Sequence, residues 1–135
     1  MIVLGIDYGL ARTGVAASDP MGILASPVTV LHEANRKKLA AALAEIARER
    51  GAGKLILGLP LRTDGTRGDK ALACEALADL LRAQSGLPVE LWDERFSTVS
   101  AHQALSAANV RGKQRKDTVD AVAAVIILQS YLDRK

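Results

Sequence analysis

The chain has 135 residues, of which 49% are hydrophobic and 24% are charged. These proportions are typical of a folded domain, and the length predicts a single domain over residues 1–135. The longest uninterrupted apolar run, Ala121 to Leu128, is far too short to cross a bilayer, so we expect no membrane partner. The chain starts without a basic leader, and the lone Cys74 excludes an intrachain disulfide; both features favour the cytoplasm.

The net charge is +3 and the isoelectric point is about 9.2, which permits an anionic partner without requiring one. Basic residues are concentrated in one segment, which contains Arg111, Lys113, Arg115 and Lys116. Aromatic residues make up only 3% of the chain, whereas proteins that bind single strands by base stacking need aromatic platforms. If the chain binds nucleic acid, we therefore expect it to hold the backbone and not to stack on the bases.

Five short apolar runs predict β-strands. In chain order they cover residues 2–6, 13–18, 26–31, 54–57 and 89–92. The first three follow one another closely, so we expect antiparallel hairpin pairing among them. The last two are separated by a predicted helix, which implies a parallel pair joined by a right-handed crossover.

Helical patterns fill the rest of the chain. Asn35 is a good N-cap for the first helix and Gly51 ends it, while Gly86 ends the second. The third helix is predicted over about residues 97–109, and the last begins at residue 117 or 118, after a basic loop. The chain is therefore predicted to be an α/β protein with a mixed five-stranded sheet, antiparallel in the first three strands and then parallel, flanked by helices.

Carboxylates stand at the ends of several of these elements. They are Asp7 after the first strand, Asp93 and Glu94 after the fifth, and Asp117 and Asp120 near the start of the last helix. The carboxyl ends of parallel strands meet at one edge of an open sheet, where binding sites gather. We therefore expect Asp7 and Glu94 to meet there, with Asp120 brought alongside by its helix.

Asp120 is the most informative of these acids because its helix is apolar on nearly every side, which implies burial. A buried carboxylate is costly unless it is paired or binds a cation, and clustered carboxylates raise one another's pKa. A divalent cation relieves both costs, and oxygen ligands favour Mg²⁺ or Mn²⁺ over zinc. For each acid taken singly a helix cap or a surface charge is the alternative, above all for Asp117.

The segment GIDYGLARTG, residues 5–14, is a strand, an acid and a tight glycine turn into a second strand. No helix follows these glycines, so the segment is not a dinucleotide-binding fingerprint, and the chain contains no GxxxxGK[ST] phosphate loop. Arg12 has two roles open to it. Its guanidinium can hold a phosphate in bidentate fashion, or it can pair with an acid at the sheet edge.

Four motifs, in this order and spread over the whole chain, resemble the YqgF/RuvX family. They are GIDYGLARTGVA at 5–16, LGLPLRTDGT at 57–66, DERFST at 93–98 and KDTVDAVAAVIIL at 116–128. Members of that family are named as pre-16S rRNA nucleases and are related to Holliday-junction resolvases. The resemblance implies a ribonuclease H-like fold, in agreement with the predicted order of strands and helices.

The resemblance also implies catalytic acids at Asp7, Glu94 and Asp120, with Asp117 as a fourth candidate metal ligand. Two Mg²⁺ or Mn²⁺ ions roughly 4 Å apart would then support phosphodiester hydrolysis. The resolvase acid at the end of the fourth strand has no counterpart here, because Gly58, Leu59 and Pro60 stand in its place. Its role is expected to pass to the end of the fifth strand, to Glu94 or to its neighbour Asp93.

Phosphate contacts are expected from Arg12, Arg95, Arg111, Lys113, Arg115 and Lys116. For Arg95 the alternative is a salt bridge to the neighbouring acids Asp93 and Glu94.

The leading hypothesis is a nuclease that processes precursor rRNA ends, with 5′ maturation of pre-16S rRNA and a role on ribosomal particles implied by the resemblance. We expect it to act as a monomer or a homodimer. A nuclease or resolvase for branched DNA is one alternative, and a non-catalytic nucleic-acid-binding factor is another. A nucleotide-binding module of the actin-like ATPase kind ranks last, because the chain is too short for two lobes.

Overall fold

The computed structural model describes residues 1–62, 64–96 and 113–134, with the side chains of residues 96 and 113–118 outside the description. The strands are β1 (Ile2–Asp7), β2 (Thr13–Ser18), β3 (Ala25–Leu31), β4 (Ala52–Leu59) and β5 (Val89–Asp93). The helices are α1 (Arg36–Arg50), α2 (Asp69–Ser85) and α3 (Lys113–Leu132), with a 3₁₀ turn at Glu94–Phe96. Within these ranges no helix combines the length and the apolar character needed to span a membrane.

The five strands form one sheet in the order β3-β2-β1-β4-β5. β1 pairs antiparallel with β2, and β2 antiparallel with β3, whereas β1, β4 and β5 run parallel. The predicted mixed α/β sheet is therefore confirmed. Because three parallel strands lie side by side, β1, β4 and β5 all end at the same edge, which we call the carboxyl edge.

Alternating side chains along the strands create a core on each face of the sheet. Leu4 and Ile6 of β1 are buried against α1 and α2, whereas Val3 belongs to the cluster under α3. The sheet is thus sandwiched between a two-helix layer and α3. Cys74 is only 2% exposed within the first core, as expected for a small buried hydrophobe.

Local capping explains where α1 begins and ends. The Asn35 side chain accepts a hydrogen bond from the backbone N–H of Lys38 at 3.0 Å, as predicted for an N-cap. Gly51 ends the helix with φ of 67°, a left-handed conformation that glycine adopts without a steric penalty. β2 has the predicted bounds, whereas the other four strands are slightly longer than predicted, and Asp7 is the last residue of β1.

The predicted start of the last helix is wrong. The structure is already helical at Lys113, so the segment 113–116 forms the first turn of α3 and not a loop. The physical reason is that Lys, Gln and Arg are strong helix formers and no glycine or proline follows Gly112. Asp117 consequently lies inside the helix and does not cap it, while the predicted helix over 97–109 lies outside the described residues.

A close contact between α3 and the sheet fixes the position of Asp120. At Gly14 in β2, an added Cβ would lie 2.0 Å from the backbone oxygen of Asp120 and 2.6 Å from its carbonyl carbon. Only a residue without a side chain allows the helix backbone to approach so closely. Gly14 therefore sets how near the Asp120 turn of α3 comes to the sheet.

We expect Gly14→Ala to lower the free energy of unfolding by about 1–3 kcal/mol, because overpacking against rigid backbone forces the helix away. Urea denaturation measures this change. Gly53→Ala is the matched control in another strand, since its Cβ would meet only the flexible side chain of Met1, at 2.8 Å from Cγ. Equal losses in the two variants would contradict the assigned role of Gly14.

Candidate active site at the carboxyl edge

Three acids from distant parts of the chain line one cleft at the carboxyl edge. Asp7 ends β1, Glu94 opens the turn after β5, and Asp120 projects from α3. The cleft encloses about 220 Å³, and we call it the acidic cleft. Its lining is Asp7, Tyr8, Gly9, Leu10, Ala11, Arg12, Pro60, Lys70, Glu94 and Asp120.

Asp120 is held by an ion pair with Arg12. The Arg12 Nε donates to Asp120 Oδ2 at 2.6 Å, and the side chains are 33% and 15% exposed. This pair links the turn after β1 to α3, two segments more than one hundred residues apart. Of the two roles that the sequence leaves open for Arg12, the structure displays the ion pair, and a phosphate contact stays a prediction.

The Glu94 carboxylate lies over β4, where the strand carries no side chain. A Cβ added to Gly58 would stand 2.8 Å from Glu94 Oε1 and 2.7 Å from Ile127 Cδ1. Gly58 therefore leaves the space that the Glu94 carboxyl occupies. The Glu94 carboxyl, which follows β5, thus lies above β4, and the prediction that it replaces the resolvase acid missing from the end of β4 stays a prediction.

Asp7 and Glu94 share a hydrogen bond between their side chains. Burial raises the pKa of Glu94 above its usual range, and this effect outweighs the opposing hydrogen bond with Asp7 and the positive charge of Lys70. Two carboxyl groups can hydrogen-bond to each other only if one of them keeps a proton. Either a proton or a cation must therefore offset the negative charge of the Asp7 and Glu94 carboxylates.

Asp93 is committed elsewhere. Its carboxylate accepts hydrogen bonds from the backbone N–H of Arg95 at 2.9 Å and from the Arg95 guanidinium, with Nη2 2.7 Å from Oδ2. These contacts lower the pKa of Asp93 and keep it ionised. Of the two neighbouring acids, only Glu94 lines the acidic cleft. Arg95 therefore forms a salt bridge with Asp93, which is the alternative role that the sequence left open for it. A phosphate contact by Arg95 stays a prediction.

Sequence reasoning missed two residues of the cleft, Tyr8 and Lys70. Lys70 lies in the first turn of α2, after a polar loop, and no local pattern in the sequence marks it as a site residue. The loop before it folds back on itself: Leu61 pairs with Arg67 as an isolated antiparallel bridge. This small hairpin returns the chain to the cleft, and Arg67 is tied to Glu75 of α2.

Comparison with known proteins assigns the chain to a family. A family model described as "RuvX: Holliday junction resolvase" matches residues 1–134. The chain belongs to the RuvX family. A relative named "Putative pre-16S rRNA nuclease" from Syntrophomonas wolfei subsp. wolfei is 43% identical over 133 residues, covering 98% of this chain and 94% of that protein. A protein of the same name from Listeria monocytogenes serovar 1/2a is 42% identical over 135 residues, covering 98% of each chain.

Solved structures share the fold of this RuvX-family chain. Thermus thermophilus RuvC in complex with a Holliday junction substrate matches with a TM-score of 0.62 and 13% identity, over 97% of this chain and 94% of that one. A Fowlpox virus resolvase bound to Holliday junction DNA matches with a TM-score of 0.54 and 11% identity, over 99% and 100% of the two chains. The predicted family and the ribonuclease H-like fold are confirmed.

The structure does not describe the side chains of the remaining predicted site residues. Lys113, Arg115 and Lys116 lie in the first turn of α3 with Asp117 one turn before Asp120, but their side chains are not described. Arg111 lies outside the described residues. Their assignments as phosphate contacts and, for Asp117, as a metal ligand stay predictions.

The acids of the RuvX-family cleft fit a divalent cation by ligand chemistry. Carboxylate oxygens suit Mg²⁺ and Mn²⁺, and Mg²⁺ commonly takes one or two carboxylates, completing its shell with water and substrate phosphate oxygens. Among the described residues no three Asp, Glu, His or Cys side chains stand close enough to hold one ion together. Asp7 and Glu94 are in contact, whereas Asp120 is held by Arg12 and would have to leave it to join them.

We expect Arg12 and Asp120 to be energetically coupled. Arg12→Gln and Asp120→Asn should each destabilise the fold, and the double variant should be less destabilised than their sum by about 0.5–3 kcal/mol, because each single change strands a partly buried charge. Urea denaturation of the four proteins in chelator measures this coupling. Strictly additive losses would show that the ion pair contributes nothing to the fold.

Proposed function

We propose that this chain is a divalent-metal-dependent nuclease that hydrolyses phosphodiester bonds in structured nucleic acid, with precursor rRNA as its substrate. The observation that carries the proposal is the meeting of Asp7, Glu94 and Asp120 in one cleft. The cationic Arg12 and Lys70 line the same cleft, so it carries both signs of charge, which a phosphate and its cation require together.

Asp7, Glu94 and Asp120 would hold the cation, and Asp117, one helical turn before Asp120, is a further candidate ligand. When bound, Mg²⁺ or Mn²⁺ would supply Lewis-acid stabilisation of the negative charge that develops during hydrolysis. Arg12, at the cleft beside Asp120, has a planar guanidinium suited to two phosphate oxygens. Lys70, which also lines the cleft, adds a point charge.

Precursor rRNA is favoured as substrate by the names of the relatives, which are more than 40% identical to this chain over nearly its whole length. End processing at the 5′ side of pre-16S rRNA, on ribosomal particles, is the specific form that we propose. Branched DNA is the second candidate, because the matching family model is described as a Holliday junction resolvase.

A direct cleavage comparison tests this proposal. Labelled pre-16S rRNA fragments and a four-way DNA junction are incubated with the protein at equal salt, with Mg²⁺, with Mn²⁺ and with EDTA. We expect cleavage of the RNA that chelation abolishes and added metal restores. Faster cleavage of the four-way junction would show that branched DNA is the substrate. Full activity in chelator would exclude the metal-dependent mechanism, and absence of cleavage under every condition would favour a non-catalytic binding factor.

Glu94 and Asp93 form a natural pair for mutation because only one of them faces the cleft. Glu94→Gln should reduce the cleavage rate by roughly 10²-fold or more, the scale on which electrostatic stabilisation of a transition state acts. Asp93→Asn removes the same charge one residue earlier and should retain most of the activity, since its partner is Arg95. Cleavage rates at saturating metal, with thermal melting as a check on folding, measure both. The reverse order of effects would assign the acid to Asp93.

A further inference from the structure

A second cavity adjoins the acidic cleft. It encloses about 310 Å³ and we call it the apolar pocket. It shares Tyr8, Gly9, Leu10, Pro60 and Lys70 with the acidic cleft and adds Asp69, Ala73 and Cys74 from α2. The two cavities therefore adjoin at the carboxyl edge, and a group that fills one lies next to the other.

The two cavities differ in the residues that only one of them has. Asp7, Glu94 and Asp120 line the acidic cleft alone, whereas Asp69, Ala73 and Cys74 of α2 line the apolar pocket alone. Tyr8, which follows Asp7, lines both cavities and packs against the core under α1 and α2. A chain molecule crossing the edge with one group over the acids would place its next group over Tyr8.

The pocket has a mixed chemistry. Its walls include an aromatic ring, a proline ring, an alanine methyl and the Cys74 thiol, and burial with the nearby carboxylates raises the pKa of that thiol to about 12, so it stays uncharged. Leu10 stands 75% exposed at the mouth, where core packing does not account for it. At the α2 end, the Asp69 carboxylate adds an acceptor and Lys70 adds a donor.

We propose that the apolar pocket binds the base of the nucleotide next to the phosphate held in the acidic cleft. This inference rests on the proposed nuclease function. A flat heteroaromatic base suits the Tyr8 and Pro60 surfaces, and base edges carry N–H donors and carbonyl acceptors that Asp69 and Lys70 can pair with. The low aromatic content argues against stacking along a whole strand, but a single base needs only one ring.

The test is a binding experiment that does not depend on cleavage. The four ribonucleoside 5′-monophosphates and ribose 5-phosphate, which lacks only the base, are titrated with Mg²⁺ into the full chain and followed by NMR chemical shifts. We expect at least one nucleotide to bind about tenfold more tightly than ribose 5-phosphate, the scale of one base–aromatic contact. The largest shifts should fall at Tyr8 and Ala73.

Two variants localise the effect. Ala73→Phe fills the pocket from α2 and should abolish the preference for nucleotides over ribose 5-phosphate. Leu72→Phe adds a ring on the neighbouring position, which is 54% exposed outside the pocket, and should leave the preference unchanged. Leu10→Ser, at the exposed mouth, should weaken the preference for nucleotides over ribose 5-phosphate without changing the core. The test therefore does not depend on whether Ala73→Phe folds.

The proposal is overturned if no nucleotide binds more tightly than ribose 5-phosphate, or if the preference survives unchanged in Leu10→Ser and in folded Ala73→Phe. Failure of the pocket and failure of the nuclease function give different results. If the chain cleaves RNA but shows no base preference, only the proposal about the pocket is rejected. If the chain binds nucleotides through this pocket and never cleaves, only the proposed nuclease function is rejected.

Discussion

The constraint on which this site depends is the electrostatic cost of bringing three carboxylates to one edge of a sheet. Like charges at close range cannot all remain ionised without compensation. The chain provides that compensation in two ways: Arg12 neutralises Asp120, and Asp7 and Glu94 share a hydrogen bond beside Lys70. Both are contacts that a divalent cation could take over, because it offers the same carboxylates a stronger positive charge.

The absence of side chains at two strand positions is as important as the acids themselves. Gly14 lets the backbone of α3 touch β2 at Asp120, and Gly58 leaves room above β4 for the Glu94 carboxyl. Both glycines lie under elements that carry acids, so each one sets the position of a carboxylate. Functional groups must be held to within about 0.5 Å of their productive positions, which such rigid contacts can achieve and flexible loops cannot.

The neighbours Asp7 and Tyr8 lie where the two cavities of the carboxyl edge meet. Asp7 lines the acidic cleft alone, whereas Tyr8 lines both cavities and packs against the core under α1 and α2. Lys70, in the first turn of α2, reaches the lining of both cavities. A nucleotide has the same two parts, because its phosphate is charged whereas its base is flat and largely apolar. This match between the two cavities and the two parts of a nucleotide is the basis of the proposed base site.

Much of this architecture was predictable because it depends on local patterns. Short apolar runs, the Asn35 cap and the Gly51 stop mark the strands and α1, and motif order alone identified the family. The start of α3 was predicted wrongly because a dense run of basic residues was interpreted as a loop although Lys, Gln and Arg are good helix formers. Tyr8 and Lys70 escaped notice because a tyrosine after a strand and a lysine after a polar loop carry no local signature.

The sequence by itself determined which elements form, how the strands pair and which acids are candidates, since these depend on periodicity, caps and chain connectivity. It favoured Glu94 without excluding Asp93, and it left two roles open for Arg12. Only the tertiary structure shows where these side chains lie: Glu94 above Gly58, Asp93 against Arg95 and Arg12 on Asp120. The physical reason is that the direction of a side chain and its choice of partner depend on contacts with residues far away in the chain, which no local pattern records.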